Sequence, residues 1–200
     1  MTRRVFIIRH GNTFGSSADA RRIGAATDIP LVASGVAQAD RLGSWFAASD
    51  LPIRCIHSSP LQRARETAAR IAAATGHAFT GTLPWLSEID HGPDEGRPDA
   101  EVLARIGAVA LADWDEQGIA PDGWIVDAPA RIAAWEKWFG TAGEGAELLV
   151  TSNGAARFAL IASGLNSTSL KLRTGAFGEL AVENNGEVRL IRWDERPQDG

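Results

Sequence analysis

The sequence predicts an α/β fold with a mostly parallel central sheet flanked by helices, on three observations. The apolar run Val5-Phe6-Ile7-Ile8 is cut off by Arg9-His10-Gly11, the pattern of a buried central strand ending in a tight turn. Strand-like and helical segments then alternate, the order of a parallel sheet with helical crossovers. A second short apolar run, Leu148-Leu149-Val150, ends in Thr151-Ser152-Asn153-Gly154 before another helical pattern.

In chain order, the first strand is expected over about 3–9, followed by a long polar loop from Gly11 to Pro30. Ser34 is a good N-cap for a helix whose apolar positions Val36, Leu42, Trp45 and Phe46 suit one face. A strand follows near 52–57. Ser58-Ser59-Pro60 then reads as a serine cap with Pro at the first position of a helix that stops at Gly76. The helix after the second apolar run is expected from Ala155 to Ser163. The chain closes in a hairpin pattern, Gly178–Glu183 and Glu187–Trp193 around Asn184-Asn185-Gly186. Residues 84–145 differ in character, holding five of the seven tryptophans. Two helical patterns lie there, near 99–117 and 127–139, with Asp99 and Asp127 as caps. The chain is read as one domain over residues 1–200, with this segment as a helical, cap-like insertion. Trp135 and Trp138, at i, i+3 spacing, are expected to pack on the core.

Composition narrows the function classes. At 200 residues, 44% hydrophobic and 22% charged, the chain is long enough for a single proper core. A net charge of −5 gives no reason to expect nucleic acid or an anionic membrane as a partner. No segment approaches the ~20 apolar residues of a membrane span. The N-terminus, Met1-Thr2-Arg3-Arg4, carries two charges but too short an apolar run for a signal peptide. The single Cys55 excludes an internal disulfide and is expected to be a buried, inert thiol. The expectation is a cytoplasmic protein; its oligomeric state is open between monomer and homodimer, with the terminal hairpin and the tryptophan-rich segment as candidate contact surfaces.

In open α/β sheets, ligands bind at the carboxyl ends of strands. An Arg and a His delivered there beside a Gly suit an anion, because His can attack phosphorus and Arg can clamp phosphate oxygens. Two further segments join this one: Ser58-Ser59-Pro60-Leu61-Gln62-Arg63-Ala64-Arg65-Glu66-Thr67-Ala68, and Leu86-Ser87-Glu88-Ile89-Asp90 with Gly92 and Glu95-Gly96. The set, in this order and with Asp28-Ile29-Pro30-Leu31, Ser34-Gly35 and Gln38-Ala39 between, resembles the histidine phosphatase, or phosphoglycerate mutase-like, superfamily over nearly the whole chain. The resemblance implies that superfamily's three-layer sandwich. It makes His10 the nucleophile of a phosphohistidine mechanism, with Arg9 and Arg63 binding the phosphoryl group. Glu88 would protonate the leaving alcohol and then draw a proton from water, which asks for a raised pKa. Asn12 and Thr13 are candidates for holding phosphate or ordering the loop.

Each residue also has an ordinary structural reading. Arg63 and Arg65 could be exposed helix arginines, Glu66 could pair with Arg70, and Glu88 could be one of several solvated acids. His57 and His77 read as structural, whereas His91, three residues from Glu88, could face a pocket. The family normally carries a second histidine in a His-Gly after a late strand. Here the corresponding pair is Asn153-Gly154, so both are counted among the phosphate-binding candidates, and Asn153 also among the catalytic ones. An Asn can donate a hydrogen bond there but can carry no positive charge. The implied substrate is a small phosphorylated metabolite or inorganic phosphate, with no metal and no cofactor. The expected activity is a phosphomonoesterase, slowed by Asn153. Alternatives are a weakly active or inactive protein that binds phosphorylated ligands and, below that, a phosphoglycerate mutase.

Overall fold

The computed structural model describes residues 3–16, 18–165 and 167–197; Met1 and Thr2 of the charged N-terminus lie outside the described residues. Strands β1 (Arg3–Arg9), β2 (Ile53–Ser58), β3 (Gly81–Thr82), β4 (Ala146–Thr151), β5 (Phe177–Val182) and β6 (Val188–Glu195) form one sheet, ordered β3-β2-β4-β1-β5-β6. The pairs β3–β2, β2–β4 and β4–β1 are parallel, and β1–β5 and β5–β6 antiparallel. The sheet is therefore mixed: the parallel core expected from the sequence carries the C-terminal hairpin along one edge.

The sequence of β1 dictates the layering. Successive side chains of a strand face opposite ways. Phe6 and Ile8 pack with Leu42 and Phe46 of helix α1 (Ala33–Ala47) and with Ala64, Ala68 and Ile71 of helix α2 (Gln62–Thr75). Val5 and Ile7 pack on the other face. There they meet Trp114 of helix α3 (Asp99–Gln117), Trp135 and Phe139 of helix α4 (Ala128–Phe139), and Phe158. Leu148 and Val150 of β4 face the first core and Leu149 the second, so both central strands are covered on both sides. Trp135 packs in the second core as expected, stacked on Phe139 with centroids 5.4 Å apart.

Several helix starts differ from expectation because the caps are supplied from elsewhere. Helix α1 begins at Ala33 with Val32 at its N-cap, and Ser34 instead accepts a hydrogen bond from Asn12 Nδ2 (3.3 Å). Helix α2 begins at Gln62, two residues after Pro60. Ser59 Oγ accepts from Leu61 N–H (3.2 Å), and the Gln62 amide donates to the remote Asp28 carboxylate (2.5 Å). Asp99 is the first residue of α3 rather than its cap and pairs with Arg22 (3.1 Å). That helix is interrupted at Gly107, whose φ of 82° is non-helical. Asp127 does cap α4, accepting from Ala130 N–H. The helix expected over 155–163 is divided into α5 (Asn153–Ala156) and α6 (Phe158–Ala162). Glu66 does not pair with Arg70. It accepts from Gln62 and from the Leu31 amide (2.8 Å), while Arg70 pairs with Asp40.

The turn after β1 is pressed directly onto the start of α1. A Cβ on Gly35 would lie 2.0 Å from the Asn12 carbonyl oxygen, and one on Gly11 would lie 2.2 Å from the Gly35 carbonyl oxygen. Both contacts are backbone to backbone, so neither can be relieved by a rotamer change. Gly35→Ala is expected to destabilise the fold by about 1–3 kcal/mol, read as a lowered urea midpoint at unchanged m-value.

Candidate active site

The parallel pairing of β1 and β4 places Arg9 opposite Thr151, so the two central strands end at one level. His10 follows immediately and donates its backbone N–H to the Thr151 carbonyl (3.1 Å). Asn153 opens α5 just beyond the end of β4. Both line a cavity of about 390 Å³, together with Arg9, Asn12, Thr13, Glu88 and Gly154. Seven of the eight residues singled out from the sequence therefore meet in one pocket.

His10 is 3% exposed, and its Nδ1 is 2.7 Å from the Gly11 carbonyl oxygen. A carbonyl only accepts, so this contact assigns the proton to Nδ1 and leaves the lone pair on Nε2. Arg63 Nε donates to that lone pair at 3.2 Å. Burial, then the charges of Arg63 and Arg9, push the imidazole well below its ordinary pKa. The ring is thus held neutral, in one tautomer, with its basic nitrogen marked out.

Arg63, the eighth residue, is fully buried behind His10. Its Nη1 donates to the Thr27 carbonyl (2.6 Å) and its Nη2 to the Gly24 carbonyl (3.1 Å). It therefore ties the 24–27 loop to His10, a role that neither sequence reading gave it. Arg65, on the same helix, is exposed. Arg9 donates through Nη1 to the Leu172 carbonyl (2.8 Å), and its buried Nε has no partner among the described residues. Burial pulls its pKa down to about 10, with Glu88 opposing, so it stays charged at neutral pH. Asn12 is committed to the scaffold, donating to Ser34 and accepting from Thr174 Oγ1 (2.5 Å).

Across the cavity, Glu88 is 5% exposed and accepts two backbone N–H groups, from Ile89 (2.8 Å) and Gly154 (3.0 Å). A Cβ on Gly154 would stand 2.3 Å from the carboxylate, so only glycine lets this amide come so close. The sequence reading asked for a raised pKa. The structure gives a lowered one: burial raises it, but the charge of His91, the two amides and Arg63 together outweigh burial. Asn153 Oδ1 accepts from the Leu172 amide (2.8 Å), and its Nδ2 donor bonds to no described residue.

His91 does reach the pocket, whereas His57 sits against Trp138 and His77 is exposed. Several arginines escaped the sequence reading, among them Arg21, which also lines the cavity, and the two that follow. Arg22 lines the cavity and pairs with Asp99. Arg131 of α4 donates to the carbonyls of Val126 (2.7 Å), Ser87 (2.8 Å) and Glu88 (3.3 Å), bracing the loop that carries the carboxylate. Arg22 lies in an irregular loop and Arg131 on a helix with no motif, so no spacing announced either. Among the described residues, no three His, Cys, Asp or Glu side chains are grouped to hold a metal ion, and no helix is long and apolar enough to cross a membrane.

A model of the family described as Histidine phosphatase superfamily (branch 1) matches residues 5–198. Among curated proteins, the 2,3-bisphosphoglycerate-dependent phosphoglycerate mutase of Clavibacter sepedonicus is 28% identical over 127 residues, 62% of this chain and 50% of that protein. The chain spans about half the length of the curated relatives it matches. A mycobacterial glucosyl-3-phosphoglycerate phosphatase, solved with VO3, is similar with a TM-score of 0.78 and 22% identity, over 96% of this chain and 98% of that one. The phosphoserine phosphatase of Entamoeba histolytica, in complex with 3-phosphoglyceric acid, gives 0.71 and 21%, over 96% and 97%. At these identities the two structures establish a shared fold.

The burial of His10 between two guanidinium groups has a direct spectroscopic consequence. A proton titration of the ring by NMR is expected to show His10 still neutral at pH 6, below the ordinary imidazole value of about 6.5. A His10 midpoint at or above that ordinary value would contradict the electrostatics described here.

Proposed function

The chain belongs to the histidine phosphatase superfamily, and from that premise we propose that it is a phosphomonoesterase acting on a small phosphorylated metabolite through a phosphohistidine at His10. The observation that carries this reading is the tautomer of His10. Its Nδ1 proton is held by the Gly11 carbonyl, and Nε2, to which Arg63 Nε donates in the free protein, is the nitrogen a phosphoryl group would take over in a cavity also lined by Arg9 and Glu88. A neutral imidazole with one nitrogen locked as donor is the form that can attack phosphorus.

Arg9, charged and with donors to spare, neutralises the phosphoryl oxygens as negative charge shifts onto them. Arg63 acts from behind, fixing the ring and the 24–27 loop. The solved mycobacterial relative has structures with VO3 and with inorganic phosphate, which supports an anion of that size in this pocket. The segment 84–145 acts as a cap, because His91, Asp99 and Trp114 from it line the same cavity as His10. Glu88 is a carboxylate in the free protein, which suits it to draw a proton from the water that hydrolyses the phosphohistidine.

Asn153 occupies the position of the family's second histidine. Its Nδ2 offers one neutral hydrogen bond where an imidazolium would offer a charged one, and a lost charge-assisted donor costs about 3 kcal/mol at the transition state. That difference favours a second reading, a protein that binds phosphorylated ligands with little turnover.

Phosphate release from an aryl phosphate, measured for the wild type, His10→Ala and Asn153→His, decides between them. The phosphatase reading expects slow release by the wild type, none by His10→Ala, and a rise of about a hundredfold in Asn153→His. No release and no phosphohistidine on rapid quench of the wild type, at high protein concentration, would remove it in favour of the binding protein.

A further inference from the structure

We propose that Asp194, near the end of β6, is a positioning residue of the site, aiming Arg9 and Asn153 through the loop 171–175 that holds both. The inference deepens the phosphatase reading and rests on it for the roles of those two side chains.

The loop is neither helix nor strand, so its shape must be set by what it touches. On its inner side, the Leu172 carbonyl accepts from Arg9 Nη1 (2.8 Å) and the Leu172 amide donates to Asn153 Oδ1 (2.8 Å). Thr174 Oγ1 donates to Asn12 Oδ1 (2.5 Å), and the Gly175 amide donates to the carbonyls of Arg9 (3.2 Å) and His10 (3.1 Å). Arg9, His10, Asn12 and Asn153, which all line the cavity, thus share one short support.

On its outer side, the loop is gripped by the end of β6 and the residue after it. Trp193 Nε1 donates to the Lys171 carbonyl (3.0 Å) and Arg196 Nε to the Thr174 carbonyl (3.1 Å). Between them, Asp194 takes three bonds from Arg173. The Arg173 amide donates to Oδ1 (2.6 Å), its Nε to Oδ2 (2.5 Å) and its Nη2 to the Asp194 carbonyl (2.9 Å). The backbone is reshaped for this grip. Phe177 pairs with Glu195 and Glu179 with Arg192, so Trp193 and Asp194 together face the single Gly178. Such a bulge re-aims side chains. Asp194 sits at φ 59°, a conformation that Asp adopts more readily than most residues. The Trp193 ring lies over Gly178, where a Cβ would stand 2.2 Å from it.

As a source of stability the Arg173–Asp194 pair counts for little, because Arg173 is half-exposed. Its effect lies in placement. Arg173 is flanked by Leu172 and Thr174, the two residues whose inner contacts hold Arg9, Asn153 and Asn12. Misplacing such groups by about 1 Å can cost as much as a hundredfold in rate.

Two substitutions separate the grip from the backbone. Asp194→Gly keeps the positive φ and removes the carboxylate, whereas Asp194→Asn keeps an acceptor for the Arg173 amide. The readouts are hydrogen exchange of the Leu172 amide, affinity for inorganic phosphate by NMR titration, and kcat on an aryl phosphate, with thermal melting as the folding control. Asp194→Gly is expected to speed Leu172 exchange by more than about tenfold and to weaken phosphate binding and kcat by about tenfold each. The Leu149 amide of β4 is expected to keep its wild-type rate, and Asp194→Asn to stay within about threefold of wild type on every readout. Wild-type exchange at Leu172 in Asp194→Gly overturns the proposal. So does fast exchange with phosphate affinity and kcat unchanged, which would make Asp194 a structural residue only. A wild type that binds phosphate without turnover removes the phosphatase reading, and phosphate affinity still judges Asp194; a wild type that does neither removes both.

Discussion

The level at which β1 and β4 end is the constraint on which the site depends. Arg9 pairs with Thr151, and the His10 amide closes the ladder on the Thr151 carbonyl. A slip of one residue would turn Phe6 and Ile8 toward the tryptophan-lined core and Val5 and Ile7 toward α1 and α2. Because both faces are packed, the register is fixed twice over, by aromatic contacts around Phe6 on one side and by the second core on the other. The geometry of the candidate site inherits that rigidity. His10 and Asn153 sit one and two residues beyond paired positions and have almost no freedom to move apart.

Electrostatics complete what the register begins. The chain is acidic overall, at −5, yet Arg9, Arg22 and Arg63 gather at one strand end. Burial, and then the charges of Arg22 and Arg63, lower the pKa of Arg9, while burial alone lowers that of Arg63. They are held there by different acceptors. Arg63 spends its guanidinium on a lone pair and two backbone carbonyls, and Arg22 on Asp99. Arg9 and Arg22 each keep a buried Nε without a partner among the described residues, Arg9 beside its one bond to Leu172. The unspent donor capacity therefore lies on the two arginines that line the cavity, and not on Arg63 behind it. The same crowding keeps His10 uncharged and sets Glu88 opposite as the compensating negative charge.

What the sequence revealed follows from which signals are local. Val5–Ile8 and Leu148–Val150 are legible because a strand buried on both faces needs unbroken apolar residues, and its end is marked by an abrupt Gly or polar turn. The Asn184-Asn185-Gly186 turn is legible for the same reason. Helix starts were less so, because serine at 34 and 59 competes with partners that only the fold supplies: Asn12 for one, and the distant Asp28 taking the α2 amide for the other. The site residues on strand ends and in recognisable motifs could be named in advance. Arg131 could not, because its three carbonyl acceptors come from Ser87, Glu88 and Val126, and nothing in a helix sequence shows which side chain turns back onto a loop. The direction of the Glu88 shift was also hidden, since which way the carboxylate turns toward the nearby Ile89 amide and His91, and that the remote Gly154 amide and Arg63 join them, is set by the fold.

Leu172 links the two halves of the pocket. Its carbonyl accepts from Arg9 Nη1 and its amide donates to Asn153 Oδ1, so one buried peptide aims both side chains. The amide bond has a second effect at position 153. By engaging the oxygen, it settles which end of the Asn side chain is the acceptor and turns Nδ2 into the unspent donor. Asn153 is thus anchored through its oxygen and keeps an uncommitted donor on a side chain that lines the cavity with Arg9, His10 and Glu88. Because the same peptide also holds Arg9, a shift of Leu172 would displace both side chains at once, which couples the strand end that carries Arg9 to the helix start that carries Asn153.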